Sequence, residues 1–168
     1  NRNLIRFINL ICYFVYKNVD YINVLSPGFK NKLVKNGIPL SKISVIYNWA
    51  DIKKLEYIEK RNDYKSESIK KETFDILFSG NIGPAQSLTT ILNVAIILMK
   101  KNSNIRFIFL GSGIEKNFLE NEVKRLKIKN IIFKERVPMS KMGFHFKNAD
   151  ALLVHLKDES IFQITIPS

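Results

Sequence analysis

Cysteine is almost missing from this chain, with Cys12 the only one in 168 residues. A single thiol cannot build a disulfide framework within one chain, so the composition fits a reducing compartment. Cys12 has no basic neighbour and no expected helix N-terminus beside it, which argues against a nucleophile. Long apolar runs are missing as well. Leu4–Val15 (LIRFINLICYFV) is the most apolar stretch, but it is too short to span a bilayer and contains Arg6 and Asn9. No small-residue cleavage site of a secretory signal follows it. A core or interface helix is the expectation there. Of the two histidines, neither His145 nor His155 has a carboxylate or a second histidine at ligand spacing, so no metal site is expected. No Walker sequence occurs, which argues against a P-loop. Zinc-finger, homeodomain and RNP-type signatures are absent, and so are internal repeats and low-complexity tracts.

Acidic residues are few: 15 against 27 Lys and Arg, a formal net charge of +12. Such an excess has two readings. It can attract an anionic partner, namely a membrane surface, a nucleic acid or a phosphorylated ligand. It can equally follow from a Lys-, Asn- and Ile-rich composition set by genome base bias. The lysines are scattered and not blocked, so no nucleic-acid partner is expected. The 46% hydrophobic content is that of a folded globule.

What the chain does have is alternation. Arg2–Asn18 reads as a helix and Tyr21–Leu25 as a short strand. Ser26 reads as a helix cap, with Pro27 at the first position and Gly37 just past the end. Lys42–Tyr47 is the next strand. Residues 48–72 are polar and lose the apolar period, and Lys60–Glu72 (KRNDYKSESIKKE) reads as a linker or an exposed surface helix, with the domain boundary there. Regularity then returns: strand Phe74–Ser79, helix Ser87–Lys100, strand Ile105–Leu110, helix Glu115–Leu126, strand Asn130–Phe133, helix Ser140–Asn148, strand Ala151–Leu156. Buried-type strands alternating with amphipathic helices over short loops predict an α/β protein. Its parallel sheet is covered by helices on both faces, with all strand C-terminal ends on one edge. The expected organisation is 1–50 as the tail of one α/β domain, 51–72 as linker and 73–168 as a second, Rossmann-like domain. The first helix begins mid-pattern and Ile166-Pro167-Ser168 follows no closing helix, so a fragment of a longer protein is expected.

Ligands of such sheets bind where the strands end. The residues expected there are Gly80-Asn81-Ile82-Gly83, Gly111-Ser112-Gly113, Lys134-Glu135-Arg136-Val137-Pro138 and Lys157-Asp158-Glu159-Ser160. Glycines allow close backbone approach, and free N–H groups at a helix start favour a phosphate. Each glycine pair is either a tight turn or part of a diphosphate cradle. Gly111-x-Gly113 lacks a third glycine, because Lys116 stands in its place. His155 lies on this rim and can either meet a ligand or support the fold; His145 reads as structural. Asp158-Glu159 is either a solvated pair or a partner for a sugar hydroxyl.

Several segments resemble retaining glycosyltransferases of the GT-B fold, family 4. Ser26–Asp51 (SPGFKNKLVKNGIPLSKISVIYNWAD) is similar to the end of their first domain. FSGNIGPAQSLTTIL, IRFIFLGSG, IIFKERVPMSKM and NADALLVHLKDESIFQITIPS are similar to successive units of their second. GNIGPAQ and TIPS point to the branch that builds capsule and lipopolysaccharide O-chains, including N-acetylfucosaminyl transferase-like proteins. The resemblance implies two Rossmann-like domains. The second holds a nucleotide-sugar, UDP-linked, and the first holds a lipid-linked or oligosaccharide acceptor. Transfer would proceed with retention, with no cofactor and no metal at the diphosphate.

On this resemblance Gly80, Asn81, Gly83 and Gln86 belong to the loop beneath the sugar diphosphate, with Gly111 on the neighbouring turn. Asn81 and Gln86 replace the arginine and lysine of many relatives, leaving Lys157 to supply charge. Arg136 and Val137 meet the nucleobase, and Thr165 and Ser168 lie near the sugar and phosphates. The catalytic residues stay unassigned. The first of the family's paired glutamates falls near Ile164, and the second falls past Ser168. The acceptor-side histidine falls before Asn1. The piece alone is therefore expected to be inactive, and its place is the cytoplasm, at the inner face of the cell membrane. A UDP-sugar epimerase of the same fold and a non-catalytic nucleotide-binding module are the alternatives.

Overall fold

The structure is a computed structural model that describes residues 2–51 and 73–167. It divides into two compact units, Asn1–Ala50 with Asp158–Ser168, and Asp51–Lys157. The linker expected over 51–72 lies, except for Asp51, outside the described residues, and so does Ser168.

The first unit contains α1 (Arg2–Asn18), β1 (Ile22–Val24), α2 (Pro27–Lys35) and β2 (Ile43–Val45). β1 and β2 are parallel, with Ile22 opposite Ile43 and Val24 opposite Val45. The Ser26 hydroxyl accepts the Phe29 N–H at 3.2 Å, and Pro27 starts the helix, so α2 begins where its cap dictates. Val24, Ile38 and Ile43 form a small core with Phe29 and Leu33 packed on it. Asp158–Ser168 joins this unit through the 3-10 turn Phe162–Ile164. The Ser26 hydroxyl donates to the Ile164 carbonyl. A Cβ on Gly28 would stand 2.5 Å from that of Ile164, so only glycine admits the turn there.

Of the two expectations for α1, core or interface helix, the core one does not form in this unit: none of its residues is buried, and Leu10 and Phe14 are 65% and 68% exposed. A two-stranded sheet is too narrow to cover both α2 and a second apolar helix. α1 is held instead at its end, where Lys42 Nζ donates to the Lys17 and Val19 carbonyls at 2.9 and 2.8 Å.

The second unit runs β3 (Phe74–Asn81), α3 (Leu88–Lys100), β4 (Ile105–Ser112), α4 (Lys116–Arg125), β5 (Ile131–Lys134), α5 (Met139–Asn148) and β6 (Ala151–Leu153). The strands are all parallel in the order β5-β4-β3-β6. Alternate residues of the central strands serve opposite faces. Phe78, Phe107 and Phe109 pack with Leu88, Ile91, Leu92 and Ala95 of α3 and Leu119 of α4. Leu77, Ile108 and Leu110 pack with Met142 of α5. The expected parallel sheet with helices on both faces is the one that forms.

At the N-terminal end of this sheet, β6 docks on β3 through a reciprocal pair. The Asp75 N–H donates to Asp150 Oδ2 at 2.6 Å, and the Asp150 N–H donates to the Asp75 carbonyl at 2.9 Å. The buried Asp75 carboxylate takes a two-pronged contact from Arg106, at 2.8 and 2.7 Å, which raises the guanidinium pKa further by hydrogen bonding. Asp150→Ala leaves the Asp75 N–H unsatisfied and should cost about 1–3 kcal/mol in a urea titration. Asp150→Asn, which keeps an acceptor oxygen, should cost less.

His145 on α5 is half-buried. Burial, and secondarily the charge of Lys134, hold its pKa below the ordinary 6.5. The unfolded chain therefore takes up this proton first as the pH falls. The stabilising contribution is complete above about pH 6.5 and is lost as pH drops toward the folded-state value. Tm measured between pH 8 and pH 5 should fall on the acid side, and His145→Gln should flatten that limb.

Candidate functional site

The strand order places a topological switch between β3 and β6. From β3 the chain moves one way through α3 to β4 and through α4 to β5, then crosses to the other side through α5 to β6. Helices on opposite faces diverge at such a point and open a crevice at the strand C-terminal ends. Gly80 and Asn81 end β3, Gly111 and Ser112 end β4, Lys134 ends β5, and Val154–Lys157 follow β6.

The first glycines differ from the expected turn. Gly80 and Asn81 continue β3 as paired strand, opposite Gly111 and Ser112. Gly111 has φ +157°, and a Cβ there would collide with the Gly80 carbonyl oxygen. Its glycine is needed because two backbones approach each other beneath the rim. The chain then turns at Ile82, which is fully buried. Its N–H donates to the Ser112 carbonyl at 2.8 Å, and its carbonyl accepts the Glu115 N–H at 3.1 Å. The two glycine segments are thus tied into one platform.

Beyond Ile82, the 3-10 turn Pro84–Gln86 leads into α3. Ser87, at the junction, adopts a left-handed φ of +45°, and its side chain does not cap α3. The first N–H groups of α3 therefore face the rim without an acceptor from the cap residue's side chain. Asn81, Gly83 and Gln86 converge here. A Cβ on Gly83 would stand 2.9 Å from Asn81 Nδ2 and 3.5 Å from Gln86 Oε1, so the two amides flank the glycine. Gln86 Oε1 is buried and has no hydrogen-bond partner among the described residues.

The β6 exit clamps this turn from the other side of the switch point. His155 Nδ1 lies 2.6 Å from the Gln86 carbonyl, and the Lys157 N–H donates to the Ala85 carbonyl at 2.8 Å. Of the two roles open to His155, the structure shows the supporting one. Lys157 is placed at the rim by its backbone.

On the far side, Arg136 is exposed on the loop after β5, while the Val137 side chain packs on the Leu77, Ile108, Leu110 and Met142 cluster. Val137 thus offers the rim its backbone. Thr165 belongs to the other unit, where its hydroxyl donates to the Ile161 carbonyl at 2.7 Å. Sequence reasoning missed Lys116 as anything but a displaced glycine. It is the first residue of α4, is nearly buried, and reaches Glu135 on the β5 exit at 2.5 Å. A lysine within a turn of Gly111-Ser112-Gly113 was visible, but its partner 19 residues on was not. Among the described residues, no cluster of three His, Cys, Asp or Glu could hold a metal ion.

These elements offer backbone donors, neutral amides and surrounding lysines to an anion, and no obvious nucleophile. Known proteins share the fold. The chain is 27% identical over 122 residues to WcaI of Escherichia coli (strain K12), assigned as a colanic acid biosynthesis glycosyl transferase; the match covers 69% of this chain and 29% of WcaI. The structure superposes on HepE of Anabaena, solved with UDP-glucose, with a TM-score of 0.64 at 15% identity, covering 86% of this chain and 40% of HepE. It superposes on TarM of S. aureus, solved with UDP among its ligands, with a TM-score of 0.62 at 15% identity, covering 83% of this chain and 26% of TarM. The chain thus spans well under half the length of these relatives, and its structural neighbours are GT-B glycosyltransferases. The model of the glycosyl transferases group 1 family matches residues 59–161, more than half of the chain, and the chain belongs to that family.

Proposed function

We propose that this chain carries most of the donor-binding domain, and the tail of the acceptor domain, of a retaining glycosyltransferase. The donor is a nucleotide-sugar, UDP-linked, and the acceptor is a lipid-linked or oligosaccharide chain of capsule, O-antigen or lipopolysaccharide synthesis. One observation carries the reading: Asn81, Gly83 and Gln86 converge under the uncapped start of α3, beside the switch point. N–H groups there would stabilise the diphosphate leaving group as its charge develops. Gly80 and Gly111 keep the platform low enough for the phosphates, and Lys157 would add charge from the β6 side. Arg136 and the Val137 backbone would meet the base. The reading assigns Thr165 and Ser168 to the sugar and phosphates, with neither cofactor nor metal. The ligands named for HepE and TarM, and the polysaccharide assignment of WcaI, support it.

The proposed place of work is the cytoplasm, at the inner face of the cell membrane. No described helix is long and apolar enough to cross a bilayer. The exposed apolar residues of α1, with Arg2, Arg6 and Lys17 and no acid in the helix, support contact with an anionic surface.

Titration of UDP, GDP and ADP into the isotope-labelled chain tests the donor site. Saturable amide shifts on UDP are expected at Gly80–Gly83, Gly111–Gly113 and Arg136–Val137, unchanged by EDTA. A well-folded spectrum that stays silent at those amides would sink the reading for this chain.

A further inference from the structure

We infer that Lys116 is a positioning residue whose ion pair with Glu135 joins the β4–α4 turn to the β5–α5 loop and sets Arg136 and Val137 for a nucleoside diphosphate. The inference rests on the donor-site reading and adds to it a residue that touches neither phosphate nor base.

A lysine at the first position of α4 is costly on two counts. Its side chain is only 11% exposed, and the helix N-terminus is the positive end of the backbone dipole. Something must offset both. Glu135 Oε1 lies 2.5 Å from Lys116 Nζ, and Glu120, one turn along α4, stands farther off at 3.9 Å. The nearer partner belongs to another loop and is itself 86% exposed, so nothing else packs it in place. The Lys116 end is fixed. Its N–H donates to the Gly113 carbonyl at 3.2 Å, and the preceding Glu115 N–H donates to Ile82, inside the platform. The ion pair therefore runs from the rigid platform outward to the loop.

The loop has reason to need it. Glu135 is the acid between Lys134 and Arg136 in the sequence, and without it Lys116 would keep only the more distant Glu120 carboxylate. Residue 137 is held from below by its side chain in the Met142 cluster, so Glu135 and Val137 hold the loop on either side of Arg136. Releasing the first would leave Arg136 free to swing away from the rim while the fold stays intact.

Two variants of the 168-residue chain test this. Lys116→Met keeps the apolar stem, and Glu135→Gln removes only the charge of an exposed side chain. Both should lower UDP affinity about two- to fivefold, the scale of an ion pair whose carboxylate is exposed to solvent. Both should leave the affinity for inorganic diphosphate unchanged. Backbone NMR order parameters of Glu135, Arg136 and Val137 should fall in both without ligand. UDP affinity and order parameters equal to wild type would overturn the inference. So would a loss in Lys116→Met alone, since that marks a core role for the lysine. If Lys116→Met does not fold, Glu135→Gln decides. Failure of the wild type to bind UDP would count against the donor-site reading, and the order parameters would then judge the loop pairing independently.

Discussion

Gly111→Ala is expected to destabilise the second unit by roughly 3 kcal/mol or more, the joint scale of a strained backbone and an overpacked contact. The reason lies in the pairing of Gly80 with Gly111 across β3 and β4. A methyl group at 111 would overlap the Gly80 carbonyl, and neither strand can retreat. β4 lies between β3 and β5, and β3 between β4 and β6. Gly80→Ala is the informative control. Its φ is +152°, but a Cβ there would have Phe78 Cζ as its nearest neighbour, at 3.9 Å. It should cost backbone strain alone, roughly 1–3 kcal/mol. Denaturant midpoints of the two variants compare the effects directly. Equal losses would mean that the close approach contributes nothing. Since Gly111 supports the rim, its variant should also weaken UDP binding in whatever fraction remains folded.

Phe109→Ala should cost about 3–5 kcal/mol, a large part of the roughly 5–15 kcal/mol that holds a domain of this kind together. Phe109 is completely buried at the centre of β4. Its ring meets Phe78 edge-on at 6.1 Å and Phe133 at 5.4 Å, so one aromatic ladder crosses three strands of the sheet. Truncation opens a cavity beneath α3 and α4 that rigid neighbouring strands cannot close. Ile132→Ala, on the adjacent strand but 36% exposed, should cost well under half as much. Thermal unfolding by near-UV circular dichroism would follow the aromatic packing itself. Similar shifts for both variants would argue that this ladder is not the centre of the core.

Much of this was legible in the residues. Phe74–Ser79 and Ile105–Leu110 are apolar on both faces, as strands buried on both sides must be, and each expected strand and helix of the second unit forms within a few positions of where its pattern places it. α2 was legible to the residue because Ser26 and Pro27 act locally on the first turn. Local rules failed where partners were distant in sequence. β3 and β4 run two residues past their apolar cores, since Gly80-Asn81 and Gly111-Ser112 are strand only by virtue of each other. β6 stops at Leu153 instead of Leu156, because His155 and Lys157 turn away to hold the Pro84–Gln86 turn. α1 read as a core or interface helix from its composition, and composition does not say how much sheet is available to cover it.

The candidate site divides in the same way. That glycines and basic residues would gather at the strand ends followed from alternation and from the right-handed crossover, both properties of the chain order. The nature of each contribution did not follow. Gly111 serves strand contact, Asn81 and Gln86 flank Gly83, and Lys116 is paired with Glu135. The α/β class, the element order and the edge on which a ligand would lie follow from the residues alone, because those depend on periodicity and on chirality common to all L-residues. The order β5-β4-β3-β6, the crevice between β3 and β6, and the partner of each rim side chain emerge only in the folded molecule. Those depend on which surfaces meet across many residues of chain, and no local preference encodes that meeting.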